Sequence, residues 1–439
     1  MAQFRKSNVK LLILALISVL ILSIGHAYSN QILLLGSLLL FAGVTLVPNK
    51  KYFLPIMLFY LPWSPVLKIN PGTFTFFTLV VPFVFLLISL SDFKNRLYYR
   101  ECIFVPLFFV AYTLLVKLLN GYAIDMSYLF FIMMLFFIPI YVNRYGKNID
   151  FEACVLYLTV GVLSAGTAAK ILMNFPHMLR YIDVYEWEKI GLTRLSGFYG
   201  DANFYSANIL VTIASLLIVL YKTKNKTMIV LQIVSIMALL YYGMLSVSKM
   251  FILCVAGIAV LWVFSLVLVK RNVLYKIGMG LTILLVLVIG IASNLFSEQI
   301  ELYLIRFGMV TDTQSLTTGR SGLFEIYINY LFSSIVSLFF GVGLSSMELV
   351  STSASHNTLI QIIYQVGLLG SIFLIVWWWM VYSILSNKVK LRTFEKYYFL
   401  ILIIAYFLPW LSLDMLYFDE FFYIILLSIL AKNYITTYY

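Results

Sequence analysis

Three stretches of this chain carry side chains of types that do chemistry. The first is Arg194-Leu195-Ser196-Gly197-Phe198-Tyr199-Gly200-Asp201-Ala202-Asn203. The second is Ser246-Val247-Ser248-Lys249. The third contains Arg306, then Thr318-Gly319-Arg320-Ser321-Gly322, then Phe340-Gly341-Val342-Gly343-Leu344, and ends at Ser355-His356-Asn357. Arginine offers a planar fork that binds two phosphate oxygens at once, whereas lysine offers a point charge. Histidine has a reference pKa near 6.5, so it is mostly neutral at pH 7 and can accept a proton. The glycines permit sharp turns, and Asp201 or Asn203 suits the cap of a helix that starts there. Each residue also has a plainer reading. Arg320 reads alone as a solvated loop charge, Lys249 as a snorkelling interfacial cation, and Arg306 as a partner of Glu298, Glu301 or Asp312. His356 reads alone as a residue that anchors a helix end.

The elements that must hold these residues are membrane spans. Of 439 residues, 63% are hydrophobic and only 11% charged, against about 45–50% and about 25% in ordinary soluble domains. That composition excludes a soluble enzyme, a disordered chain and a secreted disulfide scaffold. Cys102, Cys154 and Cys254 lie in apolar runs without metal-like spacing, so neither a disulfide nor a zinc framework is expected. Apolar runs occur at 9–24, 31–47, 52–67, 73–90, 101–119, 126–143, 151–173, 203–221, 226–245, 249–269, 274–294, 357–385, 397–412 and 415–432. They predict an all-α, polytopic integral membrane protein of about 12–14 transmembrane helices in a single membrane domain, 1–439. Pro55, Pro62 and Pro65 weaken the run 52–67, which suits a kinked or re-entrant segment.

Lys and Arg gather in alternate connections, such as Arg5 to Lys10, Lys50-Lys51, Lys222 to Lys226 and Lys388 to Lys396. This places both termini in the cytoplasm. The net charge of +12 is then topology and lipid-surface charge, and no nucleic-acid partner is expected. On this orientation the two long connections, 174–202 and 295–356, lie outside, the second before the last three spans. Within it, 321–340 reads as an amphipathic helix on the bilayer surface. Tyr185, Trp187 and Tyr199 are placed to stack on a ring-shaped ligand. His26 and His177 read as ordinary loop residues, and Trp377-Trp378-Trp379 as packing. Lys117 and Lys170 near outer span ends read either as a buried polar site or as snorkelling charges.

In this order the motifs resemble those of the O-antigen ligase and polymerase superfamily of bacterial envelope glycosyltransferases. The family's Arg, two residues, Gly, then Pro-Asn is matched by Arg194, Gly197 and Asn203, with Ala202 in place of proline. Its Ser-Arg is matched by Ser248-Lys249, its loop arginine by Arg320, and its Gly-x-Gly and His-Asn by Gly341, Gly343, His356 and Asn357. The resemblance covers roughly residues 190–385. It implies a donor made of a sugar chain on undecaprenyl diphosphate, presented at the outer face of the bacterial cytoplasmic (inner) membrane. The chain passes to an acceptor hydroxyl with inversion and without a metal or cofactor. Arg194, Lys249, Arg320 and Arg306 would bind the diphosphate, and His356 would act as base. The implied activity is polymerisation of lipid-linked repeat units into an O-antigen, capsule or exopolysaccharide, with a flippase and a chain-length regulator as partners. An O-antigen-type ligase or protein O-oligosaccharyltransferase is the alternative within the family, and a lipid-linked sugar transporter the rival outside it.

Overall fold

A computed structural model of the protein describes residues 2–46, 49–70, 74–91, 100–175, 178, 183–187, 190–268, 296–308, 310, 317, 319–344, 350, 354–387 and 389–436. The chain begins with α1 (Ala2–Ala27), α2 (Gln31–Leu46), α3 (Phe53–Tyr60), α4 (Phe76–Ser91), α5 (Glu101–Leu119), α6 (Met126–Tyr145) and α7 (Phe151–Leu172). An antiparallel hairpin follows, β1 (Asp183–Trp187) and β2 (Ile190–Arg194), with Asp183 opposite Arg194 and Trp187 opposite Ile190. Next come α8 (Ala202–Lys222), α9 (Lys226–Leu245), α10 (Lys249–Leu268) and the short α11 (Ser297–Gly308). The chain continues through α12 (Arg320–Ser333), α13 (Ile335–Phe340), α14 (Thr358–Leu385), α15 (Thr393–Phe407) and α16 (Asp419–Thr436).

Among the described residues, eight helices are long and apolar enough to cross a membrane, which makes this a membrane-embedded helical protein. The pair Gln31–Leu46 and Lys50–Val66, bent by 118°, passes the same test jointly. The expected 12–14 spans included runs that fold as shorter pieces. The run 52–67 forms α3 and then a tight 3-10 turn, Leu61–Val66, almost wholly buried in the protein. Pro62 and Pro65 remove the backbone donors that an α-helix would need there. The run 397–412 ends its α-helix at Phe407 and tightens at Pro409, and the run 415–432 starts its helix only at Asp419. The run 274–294 lies outside the described residues. The expected helical class holds, with one two-stranded hairpin inside 174–202. The expected helix 321–340 is two helices, because Ser334 is extended (φ −146°, ψ 130°).

Helix α8 is the axis of the bundle. Every residue from Phe204 to Tyr221 is buried, and α7, α9, α10, α15 and α16 pack around it. Its polar residues are satisfied within the protein. Ser206, Thr212 and Ser215 donate to carbonyls one turn back, at 2.9, 2.7 and 2.7 Å, and the Ser215 hydroxyl also meets the Tyr406 hydroxyl at 2.6 Å. Satisfying such groups internally matters because a lipid surround supplies no partners.

Connections that the charge pattern places on one side meet at one end of this bundle. At the opposite end Lys222 donates to the carbonyls of Tyr434 and Ile435, the latter at 2.7 Å. Lys432 donates there to Ser386 Oγ at 2.9 Å and to Asn387. Both lysines thus serve backbone oxygens near helix ends, where cations are favoured.

Gly341 and Gly343 build a clamp. Helix α14 breaks at Gly367 (φ 66°, ψ −178°), which frees the carbonyls of the preceding turn. Val342 and Gly343 donate their N–H groups to Tyr364 O and Gln365 O, both at 2.9 Å. From α5, Tyr112 donates to Val366 O at 2.7 Å, and the flanking Asn120 donates to Val342 O at 2.9 Å. Lys117 donates to Leu344 O at 2.8 Å and pairs with Asp125 at 3.7 Å. The lysine therefore braces the loop rather than reaching for solvent. Gly341 has φ 71° and ψ −171°, a conformation essentially confined to glycine. A Cβ there would also sit 2.6 Å from the Gly367 nitrogen. Gly341→Ala is expected to destabilise the protein by at least about 2 kcal/mol, read as a lowered Tm of the purified protein in detergent. Gly319→Ala, where no atom lies within 4 Å of the added Cβ, should lower it less.

Candidate active site

The first group of candidate residues meets at the turn between α9 and α10. Ser246, Val247 and Ser248 leave the α9 helix, with Val247 at φ 45° although it is not glycine. Carbonyls at a helix C-terminus lack intrahelical donors, and cations fill the places. Arg194 Nε donates to Ser246 O at 2.9 Å, Arg306 donates to Val247 O, and the Tyr303 hydroxyl donates to Ser248 O at 3.5 Å. A second guanidinium nitrogen of Arg194 donates to Asn203 Oδ1 at 3.4 Å, and Ser248 Oγ donates to the same oxygen at 2.8 Å. Leu195 N–H adds a bond to Leu245 O at 3.0 Å. Arg194 is only 3% exposed, so its fork ties the two motifs together inside the protein. Lys249, half-buried, lies over the Phe307 ring at 5.8 Å from its centroid, close enough to Arg306 for the two charges to repel. Burial pushes the Tyr303 phenol up to about 12, against the pull of Arg194 and Arg306, so it stays a donor.

The second group is built around Asp414, in the connection between α15 and α16. Its Oδ1 accepts from Ser355 Oγ at 2.8 Å and from Asn357 N at 3.1 Å, and its Oδ2 accepts from His356 N at 2.8 Å. Asn357 caps α14 by accepting from Leu359 N at 2.9 Å and Ile360 N at 3.2 Å. Thr358 Oγ1 donates to Leu413 O at 2.6 Å and accepts from Met415 N at 3.0 Å. These bonds hold His356 at φ 50°, a left-handed conformation that is rare away from glycine. The imidazole Nδ1 lies 3.9 Å from Asp414 Oδ2, too far for a hydrogen bond, and the side chain is 38% exposed. Asp414 therefore fixes the backbone and leaves the ring open to a ligand. Arg320 opens α12 and donates to Ser412 O at 2.6 Å, in the same connection. Burial, together with the Arg320 charge, holds the His356 imidazolium pKa below its usual value, against the opposing carboxylates of Asp414 and Asp201.

The structure thus gathers the expected residues in two groups. Arg194, Asn203, Lys249 and Arg306 belong to the first, Arg320, His356 and Asn357 to the second, and Gly197 lies instead against the Tyr205 ring. Asp201 adjoins the first group, its Oδ1 accepting from Asn203 N at 2.7 Å. Gly341 and Gly343 serve the clamp on α14 described above. Of the aromatic residues expected to stack on a ligand, Tyr199 turns its hydroxyl inward to Leu61 O at 3.2 Å. The backbones of Tyr185 and Trp187 lie in β1. His26 is buried and bonded to Val66 O at 2.8 Å, a packing role, while His177 lies outside the described residues. Trp377 donates to Leu135 O at 2.8 Å within the core. Lys170 lies over the Tyr241 ring, 4.8 Å from its centroid. Among the described residues, no group of three or more His, Cys, Asp or Glu is placed to hold a metal ion.

Asp414 is the residue that sequence reasoning missed. Its one signal was an acidic side chain in a short apolar connection, Ser412-Leu413-Asp414-Met415. Asp414→Ala is expected to cut turnover on the order of 10²-fold, because a displaced reacting group loses its alignment. A pH profile and KM measured beside kcat would separate that loss from weaker substrate binding.

Comparison with protein-family models, with characterised proteins and with solved structures finds no match to this chain.

Proposed function

We propose that this protein is a membrane glycosyltransferase that polymerises lipid-linked oligosaccharide units into a surface polysaccharide. The observation that carries the reading is the meeting of Arg320 and His356 at the connection between α15 and α16, Arg320 on Ser412 O at 2.6 Å and His356 N on Asp414 at 2.8 Å. The lipid-facing exterior suits a donor with a long polyprenyl tail, and the cations suit its diphosphate. Lys249, Arg306 and Arg320 bind the phosphate oxygens, with Arg194 holding the turn that presents Lys249. The acceptor sugar hydroxyl attacks the anomeric carbon, and His356 takes the hydroxyl proton as the new C–O bond forms. The bond from the anomeric carbon to the diphosphate oxygen breaks, its electron pair leaves on that oxygen, and the cations stabilise the charge. A single displacement inverts the anomeric centre. The site end of the bundle faces outward and both termini face the cytoplasm, in keeping with the distribution of Lys and Arg. The flippase that delivers the donor and a chain-length regulator are the expected partners.

The test uses the full chain in nanodiscs with undecaprenyl-diphosphate-linked repeat unit and EDTA. A ladder of longer lipid-linked glycans is the expected result. Release of lipid diphosphate only when a different hydroxyl acceptor is added would identify a ligase. Unchanged lipid-linked substrate under both conditions would overturn the reading.

A further inference from the structure

The connection before α14 holds an apolar stretch that no step of the proposed mechanism uses. Between Glu325 and Glu348 the chain carries no charged side chain. Helix α13 reads Ile-Val-Ser-Leu-Phe-Phe, and none of its residues is buried in the protein. Ile335 is 78% exposed, Val336 65%, and Phe332, at the end of α12, 73%. A helix lying on the bilayer surface turns a polar face to water. Apart from Ser337, α13 has no such face, and a helix apolar all round is one that is immersed.

Contacts set this stretch beside the spans. Arg320, at the head of α12, bonds to Ser412 O at 2.6 Å, and the neighbouring Leu413 O receives Thr358 at the start of α14. Further along α12, Tyr327 and Tyr330 meet Tyr364, with ring centroids 5.0 and 5.6 Å apart. At the end of α13 the backbone of Phe339 and Gly341 lies against Gly367. The chain thus descends along α14, and Val366 is already about 12 Å along that helix from Thr358. The Tyr112 hydroxyl, from the second half of α5, lies 2.7 Å from Val366 O and 3.1 Å from Phe340 O. Both α5 and α14 are long and apolar enough to cross a membrane. Both carry exposed apolar rows, Leu115 and Leu118 on α5, Ile372 and Ile375 on α14, and the exposed side chains of α13 continue them. The chain then climbs back, since Lys117 near the end of α5 holds Leu344 O at 2.8 Å.

A chain that reverses inside hydrocarbon needs backbone partners from the protein. Ser333 Oγ donates to Tyr330 O at 2.7 Å, Leu338 N to Ser334 O at 3.0 Å, and Gly341 N to Ser337 O at 2.9 Å. From Val342 onward the clamp on α14 supplies the partners. We infer that α12 and α13 form a re-entrant element that dips into the hydrocarbon on the site's side of the membrane, where Phe332, Ile335 and Val336 contact lipid acyl chains. The break at Ser334 and the clamp at Gly367 sink the second half of a segment whose composition suits a helix lying flat. This placement is independent of the reaction, and it ties Arg320 to the bilayer through one short helix.

The experiment reads depth. Cysteines are introduced into the full-length protein by Ile335→Cys or Val336→Cys, and by Val260→Cys on α10 as a reference within a span. These side chains are exposed, so a label there displaces no packing. The native Cys102, Cys154 and Cys254 are buried, and the unsubstituted protein serves as the blank. Each variant is labelled with nitrobenzoxadiazole and reconstituted in phosphatidylcholine vesicles that carry a spin-label quencher either on the acyl chain or on the head group. Labels at Ile335→Cys and Val336→Cys are expected to be quenched about twice as strongly from the acyl chain as from the head group, in the same order as Val260→Cys. Stronger quenching from the head group would lay the element on the surface and overturn the inference. Weak quenching from both positions, with Val260→Cys quenched normally, would mean that a second copy or another protein covers the face, and would overturn it as well.

Discussion

Replacing His356 with alanine is expected to lower glycan transfer by roughly 10²- to 10⁴-fold, the range for loss of a positioned general base. The structural contribution of this residue runs through its backbone. Its N–H meets Asp414 at 2.8 Å, and alanine retains that bond. The φ of 50° is a cost for any residue with a Cβ, and His356→Asn controls for it, because asparagine tolerates the left-handed region well. Both variants should elute as the wild type does in size-exclusion chromatography, and both should show that loss of rate. Near-full activity in either would remove His356 from the mechanism. The pH dependence carries the same assignment. The base works in its neutral form, and burial with Arg320 favours that form. The acid limb of kcat/KM in the wild type is therefore expected below the ordinary histidine value of about 6.5, and it should disappear from the residual rate of His356→Ala.

Arg320→Ala should cost about 3–4 kcal/mol of transition-state stabilisation, as removal of a preorganised donor does elsewhere. The guanidinium is half-buried, bonded to Ser412 O at 2.6 Å, and close enough to His356 to act on its charge. In the proposed reaction its loss removes a cation from the departing diphosphate, and it also removes a charge that lowers the His356 pKa. Two signatures follow. The rate falls by roughly 10²- to 10³-fold, and the pH midpoint for diethyl pyrocarbonate labelling of His356 rises. Arg320→Lys restores the charge without the fork and is expected to recover the midpoint better than the rate. A variant with wild-type turnover would show that Arg320 is a solvated loop charge.

The membrane class and the positions of most long helices were legible in the sequence, because apolar runs and alternating basic connections depend on transfer to lipid and not on tertiary pairing. What eluded it depended on pairing. The prolines of the run 52–67 did mark it as kinked or re-entrant, but they did not show that α3 and its tight turn are buried within the protein. The break at Ser334 has no local marker beyond a pair of serines. The clamp at Gly341 was visible as two glycines, but the glycine it faces, Gly367, lies inside an apolar run that reads as unbroken helix. The cations and His356 stood out by type. Asp414 and Glu420 did not, since their meaning lies in partners more than fifty residues away: Ser355, His356 and Asn357 for one, Tyr199 and Asn208 for the other.

The complete enclosure of α8 has a bearing on biogenesis. This helix leaves the ribosome well before α15 and α16, which supply the Tyr406 hydroxyl and the Glu420 carboxylate to its polar face. Until those segments are synthesised, Asn208 and Ser215 face lipid or the insertion machinery with their later partners missing. The nascent protein thus passes through a stage in which its central helix is its least settled part. Premature termination before α16 would leave that helix with an open polar flank, a mark by which membrane quality control can tell an unfinished chain from a finished one.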